Sequence, residues 1–413
     1  MRWFLPLLLI AQPLFAIDFH DPNAVVAAAV STHPTIARLT AEAAALRERV
    51  EPAGSLPNPM LMAGLRDKQV DLRDDEMMTM YMVGISQTLI RPDKREARRE
   101  AAEAEARAAE IMVRSARAEI ERDALLAWYD IASADAQLHA TAHVRELIDA
   151  IIAAARVRYE VGTSLQADII RAQLQASDLD LETLRLKSSR HAAAARLLPL
   201  LGLPLTTEIP PLSMPESTAG LTIAGTSEPP ADHPALAALE AQIDATSREL
   251  RLAELDTRPD IDLEAQYGHR AVQRDVFSVT ARIELPLRAK QLSQPRVREA
   301  ELRREALRQR IEERRRELTQ AMGEAMVAHE EATKQLEFQR QVVEPQAQLA
   351  FESTLAAYQA GKTSFDAILE TQSAYLRLRL QYFEYLLRHA QAIVKYEALR
   401  RGARTSAPSA GGM

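Results

Sequence analysis

The sequence predicts a mainly α-helical fold that carries four β-strands of membrane-spanning length and is built as an internal tandem repeat. Three observations predict this fold. Two long segments rich in Ala, Glu and Arg have apolar residues at helical spacing, and four short segments alternate apolar with polar side chains. In addition, the sequence of the first half recurs in the second half, which is typical of a duplicated architecture.

The duplication is visible at two separate places in each half. HPTIARLTAEAAALRERV, which starts at His33, recurs as HPALAALEAQIDATSREL from His233, and RYEVGTS (158–164) recurs as AYQAGKTS (357–364). Corresponding positions lie 199 or 200 residues apart in both cases. We therefore divide the chain into a first repeat at 17–198, a Pro-rich linker at 199–232, a second repeat at 233–402 and a disordered tail at 403–413.

The long segments predict two helical hairpins. The segment from Asp93 to Tyr159 contains neither Pro nor Gly, and a helix of that length spans on the order of 100 Å, which no single globular core accommodates. An antiparallel coiled coil is therefore expected, with Gly162 and Gly361 at the turns because a break there needs a residue that tolerates positive φ. Pro345 is expected to kink the second hairpin. The predicted helices are 93–159 and 165–198 in the first repeat and 296–358 and 364–401 in the second.

Composition and termini exclude several classes of protein. The 413-residue chain has no Cys, which excludes disulfides, thiolate metal sites and an N-terminal lipid anchor on Cys, and its net charge of −7 gives no reason to expect nucleic-acid binding. No motif for catalysis or nucleotide binding occurs, so neither an enzymatic activity nor a cofactor is predicted. The first 16 residues, MRWFLPLLLIAQPLFA, have the pattern of a secretory signal peptide.

The strands predict a membrane β-barrel shared between copies of the chain. A soluble sandwich would show the same alternation, but four strands are few for a sandwich, and they join helices too long for a globule. Four strands cannot close a barrel, and open edges are not tolerated in lipid. Three copies would supply a 12-stranded barrel in contact with lipid. The predicted strands are 58–68 and 77–89 in the first repeat and 260–270 and 276–287 in the second.

The repeated YxxG turns, the strand pairs and the closing segment AYQAGKTSFDAILETQSAYLRLRLQYFEYLLRHAQAIVKYEAL resemble the TolC-type outer-membrane efflux family over nearly the whole mature chain. The resemblance implies a homotrimer whose strands contact outer-membrane lipid and whose helices form a periplasmic α-barrel. It also implies a passive exit duct that works with a periplasmic adaptor (membrane fusion) protein and an inner-membrane pump.

A narrower resemblance concerns the exported substrate. PNP (57–59) and SQTLIRPDKREAR (86–98) resemble the branch of the family that serves cobalt–zinc–cadmium and copper–silver exporters, which implies heavy-metal cations. Members of that branch usually carry Gly where the second strand turns into the long helix. Pro92 and Asp93 occupy that turn here, so the chain departs from the branch at this point.

Charged residues beyond the turns are candidates for a gate at the periplasmic entrance. Asp366 and Glu370 lie four residues apart on one helix face, and three-fold symmetry would make each a ring of carboxylates that attracts cations. Asp168 and Arg171 occupy similar places in the first repeat, and an Arg171–Glu370 pair would hold the entrance closed. An ordinary solvated helix face is the alternative.

The turns themselves are the adaptor contacts that the resemblance implies, and simple turns without a partner are the alternative. The residues concerned are Gly162, Thr163, Ser164, Gly361, Lys362 and Thr363.

The polar faces of the strands are expected to line the barrel lumen. Arg282 and Glu284 belong to this set, as do Met78, Met80 and Met82 if Ser86 and Thr88 face the same way. Thioethers are suited to Cu(I) and Ag(I), but Met also serves as flexible filler, so no metal site is assigned.

Three other functions remain open. An exported coiled-coil scaffold would use the strands for subunit contacts, and it would be extracted in aqueous buffer. The channel of a protein-secretion system would share the same architecture. A periplasmic adaptor would show one hairpin flanked by halves of a lipoyl-like domain, whereas this sequence predicts two equivalent hairpins.

Overall fold

The computed structural model describes residues 17–67, 79–215, 223, 225–256, 258–270, 273–285 and 287–401. The predicted signal peptide and the predicted disordered tail lie outside these residues.

Each repeat contributes two strands, followed by a long helical segment, a turn and a second long helix. The first repeat contains α1 (Pro22–Thr32), α2 (Pro34–Glu48), α3 (Val50–Gly54), β1 (Met60–Arg66), β2 (Met80–Leu89), α4 (Pro92–Glu160) and α5 (Gln166–Leu200). The second contains α6 (Pro234–Leu255), β3 (Ile261–Arg270), β4 (Val276–Ile283), α7 (Ala289–Phe338), a π-helical turn (Gln339–Val343), α8 (Glu344–Gln359) and α9 (Phe365–Arg401). The prediction of a mainly α fold with four strands and an internal repeat is confirmed.

The chain forms two compact units. We call them the hairpin unit, which includes residues 116–233 and 317–401 with the start of the chain, and the sheet unit, which includes residues 38–115 and 234–316. Among the described helices, none is both long enough and apolar enough to cross a membrane.

The hairpin unit is held together by an apolar core to which α4, α5, α8 and α9 all contribute. The apolar residues recur at helical spacing on each helix, so each helix buries one stripe. The core residues are Val144, Ile148, Ile151, Ile152, Ala155, Ala172, Ala176, Leu179, Tyr358, Phe365, Ile368, Leu369 and Leu376.

The linker is fastened to the hairpin unit at its start. The carboxylate of Asp135 accepts hydrogen bonds from Arg190 Nε at 2.5 Å and from the backbone N–H of Leu212 at 2.9 Å. Arg190 also donates to the backbone carbonyl of Ile209 at 2.8 Å. The linker is therefore held to α4 and α5 at Ile209 and Leu212 by a largely buried ion pair.

The second hairpin differs from the predicted single helix at 296–358. The π-helical turn Gln339–Val343 separates α7 from α8, and Pro345 lies in the first turn of α8. Proline has no N–H to donate and its ring crowds the preceding turn, so a wider turn before it relieves the conflict. Gln339 is buried, and its Nε2 donates to the backbone carbonyl of Leu378 on α9 at 2.8 Å.

The sheet unit contains one antiparallel sheet with strand order β1–β2–β3–β4. The central pair joins the two repeats, because β2 pairs with β3 from Met80↔Arg270 to Leu89↔Ile261. β4 is shorter than the predicted 276–287. The last residue of β4, Ile283, pairs with Ile261, the first residue of β3. Pro259 lies two residues before Ile261, so β3 offers no further partner to β4. β1 is likewise shorter than predicted, because it begins after Pro59.

The register sorts the side chains of the sheet by residue number. Even-numbered residues pair with even-numbered residues throughout, so they share one face and odd-numbered residues share the other. The odd-numbered face is apolar except for Gln87 and His269, and it is open, with Leu61 80% and Phe277 71% exposed. On the even-numbered face Arg282 donates to Glu264 at 2.7 Å.

The junction where β2 turns into α4 is held by charge. Asp93 binds Arg91 Nε and Nη2, both at 3.1 Å, and Arg258 Nη1 at 2.8 Å. The hydrogen bond from Arg91 is the main cause that lowers the pKa of Asp93 to about 2. The ammonium of Lys94 lies 3.0 Å from both Asp260 Oδ2 and the carbonyl of Arg258. Asp93 and Lys94 thus connect the start of α4 with the segment before β3.

Replacing Lys94 with Met is expected to destabilise the protein. The Lys94 side chain is only 5% exposed, and its loss would leave Asp260 and Asp256 without their buried cation. We expect the free energy of unfolding to fall by roughly 2–3 kcal/mol, less than for a fully buried pair because both carboxylates are partly exposed. The measurement is the thermal unfolding temperature in detergent.

The matched control for this prediction is Arg99→Met. It removes an exposed ion pair with Glu96, which contributes little to stability because solvent screens both charges. Equal unfolding temperatures for the two variants would contradict the role assigned to Lys94.

A pair of histidines is buried in the hairpin unit. The rings of His329 on α7 and His389 on α9 lie 4.7 Å apart, centroid to centroid, with 35° between their planes. His389 is fully buried, and within the described residues neither of its ring nitrogens has a hydrogen-bond partner. Burial, with a smaller contribution from His329, lowers the pKa of His389 to about 4.

The pKa of His389 predicts that the protein loses stability in acid. Between pH 6.5 and about 4 the unfolded chain binds a proton at His389 that the folded chain does not bind, so stability rises with pH in this window and is lost as pH falls. The slope is at most about 1.4 kcal/mol per pH unit. At pH 5 the variant His389→Phe should unfold at a higher temperature than the wild type. Its unfolding temperature should also depend less on pH. Parallel curves for the two proteins between pH 7 and pH 4 would contradict this prediction.

Candidate functional site

The two hairpin tips, residues 158–171 and 357–370, have the same backbone structure. Gly162 and Gly361 adopt φ values of +75° and +69°, in the left-handed region that favours glycine. Thr163 N–H donates to the Arg158 carbonyl at 2.8 Å, and Lys362 N–H donates to the Ala357 carbonyl at 2.8 Å. Each glycine N–H also bonds to the carbonyl three residues earlier, which completes a Schellman motif at both helix ends.

An arginine joins the two tips. Arg158 Nη2 donates to the carbonyls of Tyr358 at 3.1 Å and Gln359 at 3.3 Å, and its guanidinium lies 4.3 Å from the centroid of the Tyr358 ring. The cation therefore satisfies carbonyls at the C-terminus of α8, where positive charge is favourable. Tyr358 in turn packs edge-on against Phe365 at the start of α9. Arg158 thus holds the first tip against the second.

Arg171 forms an ion pair with a carboxylate on α9, but this carboxylate is not the predicted one. Arg171 Nη1 lies 2.7 Å from Asp366 Oδ1 and 2.8 Å from Oδ2, so the prediction that Arg171 pairs with Glu370 is wrong. Asp366 lies in the first turn of α9, whereas Glu370 lies one turn further along on an exposed face. The side chains of Arg171 and Asp366 are 53% and 62% exposed, and exposed pairs contribute about 0–1 kcal/mol. The pair is therefore weak enough to be broken.

Two further polar residues of the tips cap the helices that follow the turns. Asp168 Oδ2 accepts the backbone N–H of Leu165 at 3.3 Å at the start of α5. Ser364 Oγ accepts the N–H of Ala367 at 3.3 Å at the start of α9. Asp168 therefore caps α5 in the folded chain. Its position in the sequence was equally compatible with a cap and with a gate.

The predicted lumen residues fall into three groups. Arg282, Met80 and Met82 lie on the even-numbered face of the sheet, together with Glu264. Glu284 follows the last residue of β4, so its predicted position within a strand is wrong. Met78 lies outside the described residues.

In the part of the chain that the structure describes, no group of three or more His, Cys, Asp or Glu side chains is arranged to hold a metal ion.

A family model of outer membrane efflux proteins matches residues 25–203 and 228–400, one match in each repeat. The chain belongs to the outer membrane efflux protein family. The family resemblance and the outer-membrane location that the sequence predicts are thereby confirmed, and the double match agrees with the internal duplication. No curated protein sequence matches the chain.

Solved structures of outer-membrane channels have the same fold. The outer-membrane channel OprN superposes with a TM-score of 0.76 at 17% identity, over 92% of this chain and 90% of that chain. VceC from Vibrio cholerae gives a TM-score of 0.74 at 17% identity, over 92% and 95% of the two chains. The open state of the MtrE outer membrane channel of Neisseria gonorrhoeae gives 0.74 at 15% identity, over 92% and 89%. At such identities the likeness establishes the fold of this efflux protein.

Two features of the tips were not predicted from the sequence. The first is the contact that Arg158 makes with the second tip. Arg158 precedes the repeated Tyr in the first repeat, whereas Ala357 precedes it in the second, and only this difference between the motifs pointed to Arg158. The pairing of Arg171 with Asp366 depends on how α5 and α9 pack, which no local pattern encodes.

Proposed function

We propose that this efflux protein is the homotrimeric outer-membrane channel of a tripartite efflux system. It would provide a passive exit duct for solutes delivered by an inner-membrane pump through a periplasmic adaptor. The observation that carries the proposal is the four-stranded sheet, which, within the described residues, combines an exposed apolar face with two unpaired edges.

The chemistry of the sheet supports a lipid environment. Its odd-numbered face exposes large apolar side chains on all four strands, among them Leu61, Ile85, Tyr267 and Val279. Exposed to water, such a contiguous apolar face would be costly, whereas facing lipid it costs nothing. The strand lengths of 7–10 residues are close to what a tilted strand needs to cross the hydrocarbon core.

The edges of the sheet support an assembly of several chains. Within the described residues β1 and β4 each pair on one side only, and unpaired backbone groups are not tolerated in lipid. About eight strands is the smallest number that closes a barrel, so two or more chains are needed, and three give twelve strands. The even-numbered face, with Arg282 paired to Glu264, would then line a water-filled lumen.

The hairpin tips fit the roles of entrance and docking surface. Three copies of the Arg171–Asp366 pair would hold the helices together at the entrance, and Glu370 would add a ring of exposed carboxylates that favours cations. Gly162, Thr163, Gly361 and Lys362 lie in the exposed turns where an adaptor would bind.

Heavy-metal cations are the substrate class that we propose for the complete pump. The support is the resemblance of 57–59 and 86–98 to the heavy-metal branch. The departure at Pro92 and Asp93 is compatible with that branch, because Asp93 and Lys94 hold the turn by ion pairs and no positive φ occurs there. Growth of a deletion strain on cobalt, zinc, cadmium, copper or silver, with and without the gene, tests this substrate class.

The channel itself is tested by extraction and conductance. The mature protein should require detergent for extraction, have the mass of a trimer in detergent and give discrete single-channel currents in planar bilayers. An exported coiled-coil scaffold would instead appear in the aqueous fraction after lysis and give no currents. That outcome would overturn the proposal.

A further inference from the structure

Four methionines form a line across the β1–β2 ribbon on the even-numbered face of the sheet. Met60 and Met62 lie on β1, and Met80 and Met82 lie on β2. In the register, Met62 lies opposite Gly84, and Met82 lies opposite Gly64. The line therefore runs from Met60 through Met62 and Met82 to Met80, with one step within each strand and one diagonal step between strands.

The spacing lets neighbouring thioethers meet. Residues two apart on a strand, and diagonal neighbours on adjacent strands, lie about 7–8 Å apart, which is within reach of long side chains. Methionine has three rotatable bonds and adapts its position easily. Met62 and Met82, the diagonal pair, can therefore bring their sulfur atoms to one ion placed between the two strands.

Of the two glycines opposite these methionines, only Gly64 leaves room for an ion, because a Cβ atom built on Gly84 would lie 2.8 Å from both Ala265 O and Gln266 Cγ. A Cβ atom built on Gly64 would meet no atom within 4 Å, so the position opposite Met82 is open space. By contrast, a Cβ built on Gly268 would overlap Sδ of Met80, which shows that the Met80 thioether already packs against β3. Met82 and Met62 are only partly buried, and Met60 is 62% exposed, so these three thioethers are accessible.

The charged residues nearby do not favour a hard cation. Arg66 lies on the same face two residues beyond Gly64, and its charge would repel any cation held by charge alone. Glu264, one strand away, is already paired with Arg282. A neutral pair of thioethers binds soft metal ions through polarisable sulfur. This environment therefore favours soft metal ions over hard cations, which are bound mainly by negative charge.

We propose that Met62 and Met82, with Met60 as a third ligand, bind a soft monovalent metal ion of the Cu(I) or Ag(I) class. The site goes beyond the proposed channel function and does not depend on it, because a solute passes through a passive duct without needing a binding site. In a trimer the site would occur once in each chain, within the β1–β2 ribbon.

Silver nitrate is the probe, titrated calorimetrically into the purified full-length protein in chloride-free buffer with detergent. The double variant Met62→Leu/Met82→Leu keeps both positions apolar and similar in volume. We expect the wild type to bind one tight equivalent of silver per chain and the double variant to lose it, with affinity for that equivalent reduced roughly a hundredfold or more. Met112→Leu, an exposed methionine on α4, is the matched control and should bind as the wild type does.

Two outcomes would overturn the site: no tight silver equivalent in the wild type, or the same equivalent in the double variant. Bilayer conductance of the double variant separates this result from the channel proposal. Loss of silver binding with unchanged currents supports the site, and silver binding by a protein that carries no current supports the site while contradicting the channel.

Discussion

Replacing Gly162 and Gly361 together with Leu is expected to abolish export while the protein remains folded and in the outer membrane. Both glycines have positive φ, which costs an L-residue roughly 1–2 kcal/mol. A Cβ at either position would meet no atom within 4 Å, so no clash adds to that cost within the chain. The fold should survive, whereas an adaptor docked on the turns would meet two new bulky side chains. The measurement is substrate efflux by cells, with membrane extraction as the check on folding.

The matched control is Gly202→Leu. Gly202 also has positive φ, at +67°, and its nearest neighbour for an added Cβ is Thr32 at 3.8 Å, an ordinary contact. The backbone cost per substituted residue is therefore the same, but the substitution is away from the tips. Normal export by the tip variant, or equal loss of export in both variants, would contradict the assignment of the turns as an adaptor surface.

Reversing the charge of Asp366 is expected to increase the open fraction of the channel. Asp366→Arg places a second cation beside Arg171, where the structure has two contacts of 2.7 and 2.8 Å. One exposed pair contributes about 0.2–1 kcal/mol, so three pairs that break together contribute roughly 0.6–3 kcal/mol, equivalent to a shift of about 3- to 150-fold in the ratio of open to closed channels. Single-channel recordings in bilayers measure this ratio.

A charge-swap cycle identifies the pair as the cause. Arg171→Asp should open the channel as Asp366→Arg does, and the double variant Arg171→Asp/Asp366→Arg should restore the closed fraction. Glu370→Gln is the control, because Glu370 is exposed on the same helix and does not bind Arg171 in the structure. It should alter cation selectivity and leave the closed fraction unchanged. The same closed fraction in the wild type and both single variants would contradict the proposal that the Arg171–Asp366 pair holds the entrance closed.

Much of the local structure could be predicted because its causes are local. The Gly162 and Gly361 turns follow from the need for positive φ where a helix reverses, and the alternation in 276–283 follows from the two-residue period of a strand. The partner of Arg171 could not be predicted in this way. Asp366 and Glu370 are one helical turn apart, and the choice between them depends on the axial offset of α5 and α9.

The sequence by itself determined the duplication, the long hairpins, the glycine turns and the apolar and polar faces of each strand, because helical and strand periods and backbone φ are properties of neighbouring residues. Only the tertiary structure decided that β2 pairs with β3 across the two repeats, that Lys94 is buried between Asp256 and Asp260, that His389 lies against His329, and that the methionines form one line. Each of these contacts joins elements distant along the chain, and their relative positions follow from packing and register, which no short stretch of sequence encodes.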